Sequence, residues 1–322
     1  IQSLLNLTSK FGDYFLEIEP GTEVALLNGI MHYLIKEKFF SPKAAKLKNF
    51  GKLKKITSKY APSYVSKICK INESEFLKVC NAVAKSKKLG IFHGMGFTQH
   101  VNSLENVHSL LNLAILKDAH ILTLRGEINV QGVGDIFSSD MKVLEKLWNA
   151  KIKAIHGNII DSLILNPVEF AFITEFNPAQ SLPNLNKVHK TLENMFLVYL
   201  GSHFNLTCEF ADIILPIPML FESFGTITNG EQRIRLVRRV LKPQGLEIWK
   251  IAKLIFKKLG KKEFFLYKHP KELFGEIVKA VPWYRNINPD EIYKGRDAFA
   301  RKKIKYKIFR CEDYKGKDEK RT

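Results

Sequence analysis

Leu89-Gly90-Ile91-Phe92-His93-Gly94-Met95-Gly96-Phe97-Thr98-Gln99-His100 decides the fold. Leu89 to His93 reads as a buried strand that runs straight into a glycine-rich turn. Ser103 then opens a long apolar helix carrying Val107, Leu110, Leu111, Ala114 and Ile115. Strand–turn–helix units in series predict a parallel α/β sheet, in which ligands sit beyond the carboxyl ends of the strands. A second stretch, Arg125-Gly126-Glu127-Ile128-Asn129-Val130-Gln131-Gly132, has the same character. Glycines let the backbone approach a ligand closely, and guanidinium, amide and imidazole groups beside them can hold it.

The pattern extends in both directions. Tyr14 to Ile18 reads as a strand, and Pro20-Gly21-Thr22 as a turn whose threonine can cap the next helix. Val24, Leu27, Met31, Leu34 and Ile35 line one face of that helix. Phe39 to Lys70 reads as a lysine-rich connector with a short helix, broken at Tyr60-Ala61-Pro62. Asn72 or Ser74 caps a helix bearing Phe76, Leu77, Cys80, Val83 and Ala84. In the second half, Met141 to Trp148 reads as a helix, and Phe170 to Thr174 as a strand ending in Glu175-Phe176-Asn177-Pro178. Leu185 to Met195 is a helix, Phe196 to Leu200 a strand, and Ile213 to Leu215 a strand halted by Pro216 and Pro218. Ile248 to Leu259 is an amphipathic helix stopped by Gly260, and Lys271 to Val281 is another. After Pro282 the periodicity dissolves, and Arg301 to Thr322 reads as a basic, weakly structured end. Thr22, Gly94 and Asn177 all fall where ligands gather in such sheets.

With 322 residues, the chain is long enough for two domains, and 45% hydrophobic residues suffice for real cores. No apolar run reaches the roughly 20 residues that span a bilayer, and the amino end lacks the pattern of a secretory leader. Cys69, Cys80, Cys208 and Cys311 show no Cys-x-x-Cys spacing. They read as reduced thiols of a cytoplasmic protein, neither a disulfide frame nor a metal site. The chain opens on Ile1, which suggests a start inside a longer reading frame. Net charge is +19, from 51 basic and 32 acidic residues. Charge of this size suits nucleic acid. Without zinc-finger spacing or an RNA-type aromatic motif, a solvated lysine-rich surface beside a phosphate-bearing cofactor is the preferred reading.

Five stretches occur in order: Pro20 to Leu27, Gly94 to His100, Arg125 to Gly132, Glu175 to Ala179, and Ala211 to Pro216 followed by Gly225-Thr226 and Asn229 to Arg233. Their order and spacing resemble the molybdopterin oxidoreductases, most closely the catalytic alpha subunit of formate dehydrogenases. The resemblance spans roughly residues 10 to 280. It implies two parallel-sheet, dinucleotide-binding-type α/β domains. They would cover 1–127 and 128–285, with 286–322 a basic extension toward a β-barrel. The cofactor it implies is bis(molybdopterin guanine dinucleotide) with molybdenum or tungsten.

By the same resemblance, Gly21, Thr22 and Glu23 form a guanine-holding turn, with glutamate where the family usually has aspartate. Met95, Gln99 and His100 match pterin-contacting positions. Arg125 matches the active-site arginine, which would fix a formate carboxylate. Glu127 stands where formate dehydrogenases generally carry glutamine, and a carboxylate there would repel formate unless protonated or paired. Asn177 matches a cofactor-facing loop, and Glu247 an acidic guanine-binding position. Asp212 reads more simply as a strand-edge cap. Leu200-Gly201 replaces a Gln-Asp pair, Ser223 replaces a lysine, and the link Lys117-Asp118-Ala119-His120 is shortened.

The family's iron–sulfur domain, its metal-ligating cysteine or selenocysteine and its carboxyl-terminal β-barrel have no counterpart in these residues, so no metal ligand is assigned. The expected function is a share in two-electron oxidation of formate or a related small molecule. Remaining domains or subunits and an electron acceptor would be partners. The alternative is a non-catalytic cofactor- or partner-binding module, either a degenerate paralogue or a split subunit.

Overall fold

A computed structural model describes residues 1, 6–137, 145, 151, 168–261, 266–300 and 307–309. The chain divides into two compact units, Ile1–Ile128 with Lys303–Thr322, and Asn129–Lys302.

In the first unit, helix α1 (Glu23–Lys36) is the hub. Val24 to Met31 are all buried, and so is Leu34. Its neighbours are α3 (Phe50–Thr57), α4 (Pro62–Cys69), α5 (Glu73–Lys85) and α6 (Ser103–Lys117), with α2 (Pro42–Ala45) completing the shell. Ile30, Met31 and Leu34 are at most 2% exposed, and each contributes about 1.5–3 kcal/mol by leaving water. Gly29 permits the close approach. A Cβ there would lie 2.5 Å from Val65 Cγ2 and 3.0 Å from Phe76 Cζ.

Behind this bundle, β1 (Gly90–His93) and β2 (His120–Thr123) pair in parallel, Gly90 opposite His120 and His93 opposite Thr123. The expected fold class, α/β with parallel sheets, is what the structure shows. Several expectations are corrected. Tyr14 to Ile18 makes only an isolated bridge at Glu17; Leu16 and Ile18 are buried against helices instead. The lysine-rich connector is three helices, because Leu53, Tyr60, Val65 and Cys69 supply an apolar side. Strand β1 is half exposed, not buried. Helix α6 buries Asn106, Ser109 and Asn112 beside Leu110, Leu113 and Leu116. Asn112 holds the backbone of Phe309, accepting from its N–H at 2.8 Å.

In the second unit, β3 (Phe170–Thr174), β4 (Phe196–Gly201) and β5 (Ile213–Pro216) form a parallel sheet in that order. Central β4 is buried from Leu197 onward. Leu197 packs with Val188 and Leu192 of helix Leu185–Glu193. Val198 and Leu200 pack with Ile251 of helix Ile248–Lys258. Alternate residues thus serve two different covers, as a strand covered on both faces requires. Asp212 closes the entry to β5, its Oδ2 accepting from Leu197 N–H at 2.7 Å.

An antiparallel sheet follows, β6 (Gly225–Thr228), β7 (Arg233–Val237) and β8 (Ala298–Phe299). The segment after Pro282 is folded, not patternless: Tyr284, Ile287, Ile292 and Ala300 share a core with Ile234, Phe274 and Val278. Its elements are too short for periodicity to register. Of the helix expected over Met141–Trp148 only Glu145 is described, and it is helical; of the basic stretch Lys303–Lys307 only Lys307 is described.

Candidate functional site

Strands β1 and β2 end side by side, so the turns that leave them start together. Leu124 N–H donates to His93 O at 2.8 Å, and His93 Nε2 lies 2.9 Å from Thr123 Oγ1. The first turn, Gly94 to His100, is tied down by Asn106, whose Nδ2 donates to Phe97 O at 3.1 Å. The second begins at Leu124 and carries Arg125, Gly126 and Glu127, all exposed. The two turns touch. A Cβ on Gly126 would lie 2.8 Å from Met95 Cε and 2.9 Å from Met95 Sδ. Gln99 Nε2 reaches the same sulfur at 3.7 Å.

The third turn, Pro20 to Glu23, meets the first through His100. A Cβ on Gly21 would sit 3.4 Å from both Cε1 and Nε2 of that ring. Gly21 has φ +87, a conformation glycine adopts without strain. Asn102 N–H donates to His100 Nδ1 at 3.2 Å, which leaves the ring proton on Nε2, toward Gly21. Thr22 does not cap α1 through its side chain. Its hydroxyl turns back to donate to Glu19 O at 2.6 Å, and Cys69 Sγ backs the turn at 3.7 Å from Thr22 O.

Glu23 is the notable group. Its Oε1 accepts weakly from Gly21 N–H at 3.4 Å. Its Oε2 is buried with no donor in the structure. A buried carboxylate oxygen without a donor is costly and calls for a partner. A ligand N–H group directed at this oxygen would meet that need.

Seven expected residues of the first unit therefore form a connected set: Gly21, Thr22, Glu23, Met95, Gln99, His100 and Arg125's loop, with Glu127 exposed beside it. Asn177 and Glu247 belong to the second unit. Asn177 Oδ1 accepts from Thr207 Oγ1 at 2.7 Å and from Thr207 N–H at 3.2 Å, while its Nδ2 donates to Gln180 at 2.9 Å. That side chain shapes its own loop. Glu247 is paired with Arg239 at 2.8 Å and Lys250 at 2.9 Å.

Two residues escaped the sequence reading. Asn106 looked like part of an apolar helix, and His93 like a strand end. The available signal for His93 was its place at the carboxyl end of a parallel strand. Burial lowers its pKa, and the nearby Arg125 charge adds to this. Cys69 and Cys80 are buried, and burial pushes their thiols up to about 11 and about 12. Among the described residues no cluster of three His, Cys, Asp or Glu could hold a metal ion, and no helix is long and apolar enough to cross a membrane.

Against this geometry, a molybdopterin oxidoreductase family profile matches residues 5–258. The chain belongs to the molybdopterin oxidoreductase family. It is 32% identical over 307 residues to the F420-dependent formate dehydrogenase subunit alpha of Methanocaldococcus jannaschii, covering 87% of this chain and 46% of that one. It is 28% identical over 311 residues to the F420-dependent formate dehydrogenase 1 subunit alpha of Methanococcus maripaludis, at 88% and 46% coverage. The chain thus spans about half the length of these relatives. Acetylene hydratase from Pelobacter acetylenicus shares the fold, with a TM-score of 0.70 at 15% identity over 92% of this chain and 47% of that one.

Proposed function

We propose that this chain forms part of a formate dehydrogenase-like oxidoreductase. It would bind bis(molybdopterin guanine dinucleotide) for the two-electron oxidation of formate or a related small substrate. The observation that carries this reading is the meeting of three turns, Gly21 against His100 and Met95 against Gly126. The names of the formate dehydrogenase relatives support the substrate class.

In this reading Glu23 Oε2 accepts from the guanine edge, and Gly21 admits the base to the backbone. Met95, Gln99 and His100 border the pterin, with His100 Nε2–H as a donor. Arg125 fixes a substrate carboxylate by two parallel hydrogen bonds, a geometry its planar fork favours. Glu127 beside it disfavours a second anion and favours a substrate that presents a donor. Glu247 would serve a second guanine by sharing its oxygens with Arg239 and Lys250, and Asn177 would shape the loop facing it. When bound, the cofactor supplies redox chemistry at molybdenum or tungsten, and the protein supplies position and charge. Iron–sulfur clusters and the electron acceptor belong to other segments or subunits, in the cytoplasm where free thiols persist.

Two measurements test this. Co-expression with adjacent reading frames, followed by elemental analysis and pterin fluorescence, should find molybdenum or tungsten with pterin in the complex. Titration of the purified chain with GMP and AMP should show a preference for GMP that Glu23→Gln removes. Absence of pterin together with equal affinity for the two nucleotides defeats the proposal.

A further inference from the structure

Helix α1 ends abruptly. Phe39 N–H donates to Leu34 O at 2.8 Å and Lys38 N–H to Ile35 O at 3.3 Å, which forces Lys38 to φ +61. Glycine fills such a helix-end position most easily. Here a lysine does so, and its exposed side chain stands at the rim of a groove of about 400 Å³. The groove is lined by Ile35, Phe40, Pro42 and Phe50, with Lys38 and Lys54 beside them. Phe40 and Phe50 are half-buried, their ring centroids 5.3 Å apart. Among the described residues neither Lys38 nor Lys54 has an ion-pair partner. The surroundings are strongly one-signed, with eleven lysines and a single glutamate from Lys36 to Lys70.

An apolar recess flanked by unpaired cations fits an apolar side chain with carboxylates on either side of it. A bare lysine surface would serve any polyanion, and bases stack on aromatic faces held open to them, whereas Phe40 and Phe50 are half-buried and packed against each other in a recess. We propose that this groove docks an acidic segment of a partner protein, one aromatic side chain resting on Phe40 and Phe50 and flanking carboxylates on Lys38 and Lys54. The groove lies on α1 to α3 and involves none of the residues proposed to hold the cofactor, so it stands or falls separately from that reading.

The test uses the full chain and a fluorescein-labelled peptide, Gly-Asp-Glu-Phe-Glu-Asp-Gly, followed by anisotropy at about 0.15 M salt, where long-range charge is screened beyond about 8 Å. The peptide should bind, and the double variant Lys38→Glu with Lys54→Glu should weaken binding at least tenfold. The control Lys10→Glu with Lys88→Glu, an equal change of net charge elsewhere, should leave affinity within twofold. Replacing the peptide's phenylalanine with serine should also cost at least tenfold, a comparison that needs no protein variant to fold. The proposal is overturned if no binding occurs, if both double variants weaken it equally, or if the serine peptide binds as well. It is equally overturned if the groove variant weakens a single-stranded oligonucleotide or phosphatidylserine vesicles more than the peptide. Those last outcomes would mark a nucleic-acid or membrane face.

Discussion

The hydroxyl of Tyr284 donates to Asp135 Oδ2 at 2.9 Å, 149 residues away in the chain. Thr228 Oγ1 lies 2.8 Å from the same hydroxyl, and Gln131 Nε2 donates to the other Asp135 oxygen at 2.9 Å. Asp135 is 5% exposed and Tyr284 2%. A carboxylate buried this far is tolerable only because neighbours donate to it. Burial, the Asp135 charge and the hydrogen bond to Asp135 hold the Tyr284 phenol well above its ordinary range, outweighing the lowering by Thr228, so it remains a donor at all physiological pH. These contacts join α7 (Val130–Phe137), β6 and the turn Pro282–Tyr284.

Tyr284→Phe removes that donor without removing the ring. Hydrogen bonds to charged groups are worth about 1.5–3 kcal/mol, and a loss of that size is expected in urea unfolding. A shift below about 0.5 kcal/mol, the usual range of an exposed substitution, would show that Asp135 is satisfied without the tyrosine.

Gly29→Ala should destabilise the first unit by about 1–3 kcal/mol, the usual cost of overpacking. The added methyl meets Val65 Cγ2 and Phe76 Cζ. Adding Val65→Ala to the same chain makes room, so the double variant should recover part of the loss. Equal melting temperatures for Gly29→Ala and the parent would refute the close approach of α1 to α4.

His93 gives the first unit a pH dependence. Its folded pKa lies below the ordinary 6.5, through burial and then the Arg125 charge. Between the two values the unfolded chain binds more protons than the folded one. Stability therefore rises with pH through that window and is lost as pH falls below about 6.5. His32 is shifted the same way, so the comparison must be between variants. His93→Gln, which can still bond Thr123, should flatten the fall in melting temperature between pH 7 and pH 5. An unchanged slope would remove His93 from the account.

The cysteines should differ in reactivity. Thiolate is the reacting form, and burial holds Cys69 near 11 and Cys80 near 12. Both are fully buried, whereas Cys208 is only partly so. Iodoacetamide labelling of the native chain at pH 8, read by peptide mass spectrometry, should mark Cys208 first. Faster labelling of Cys69 would mean that the turn it backs opens in solution.

If the proposed function holds, Arg125→Lys in the assembled complex should raise the KM for formate by at least about tenfold, equivalent to about 1.4 kcal/mol. Lysine keeps the charge but loses the paired donors. Steady-state kinetics on the complex checks this; an unchanged KM would remove Arg125 from substrate binding.

The turns were legible because their residue types are scarce elsewhere: Gly21, the Gly94–His100 run and the Arg125 loop each combine glycine with hydrogen-bonding groups. Strands β3 to β5 were legible because β4 is apolar throughout and bounded by turn residues. Of the three helices in the lysine-rich stretch only one short helix was expected, since apolar positions such as Leu53 and Val65 show little period among so many lysines. The short antiparallel strands had no chance to show one.

Local sequence by itself determined where the glycine-bearing turns stand, that helices and strands alternate around them, and that the chain is strongly basic. These are properties of neighbouring residues, set by backbone freedom and side-chain period. Only the tertiary structure decided that His100 faces Gly21, that Met95 meets Gly126, that Asn177 is spent on Thr207, and that a glutamate oxygen is left buried without a donor. Such facts depend on which distant segments pack together, and packing is settled by shape and burial summed over the whole unit.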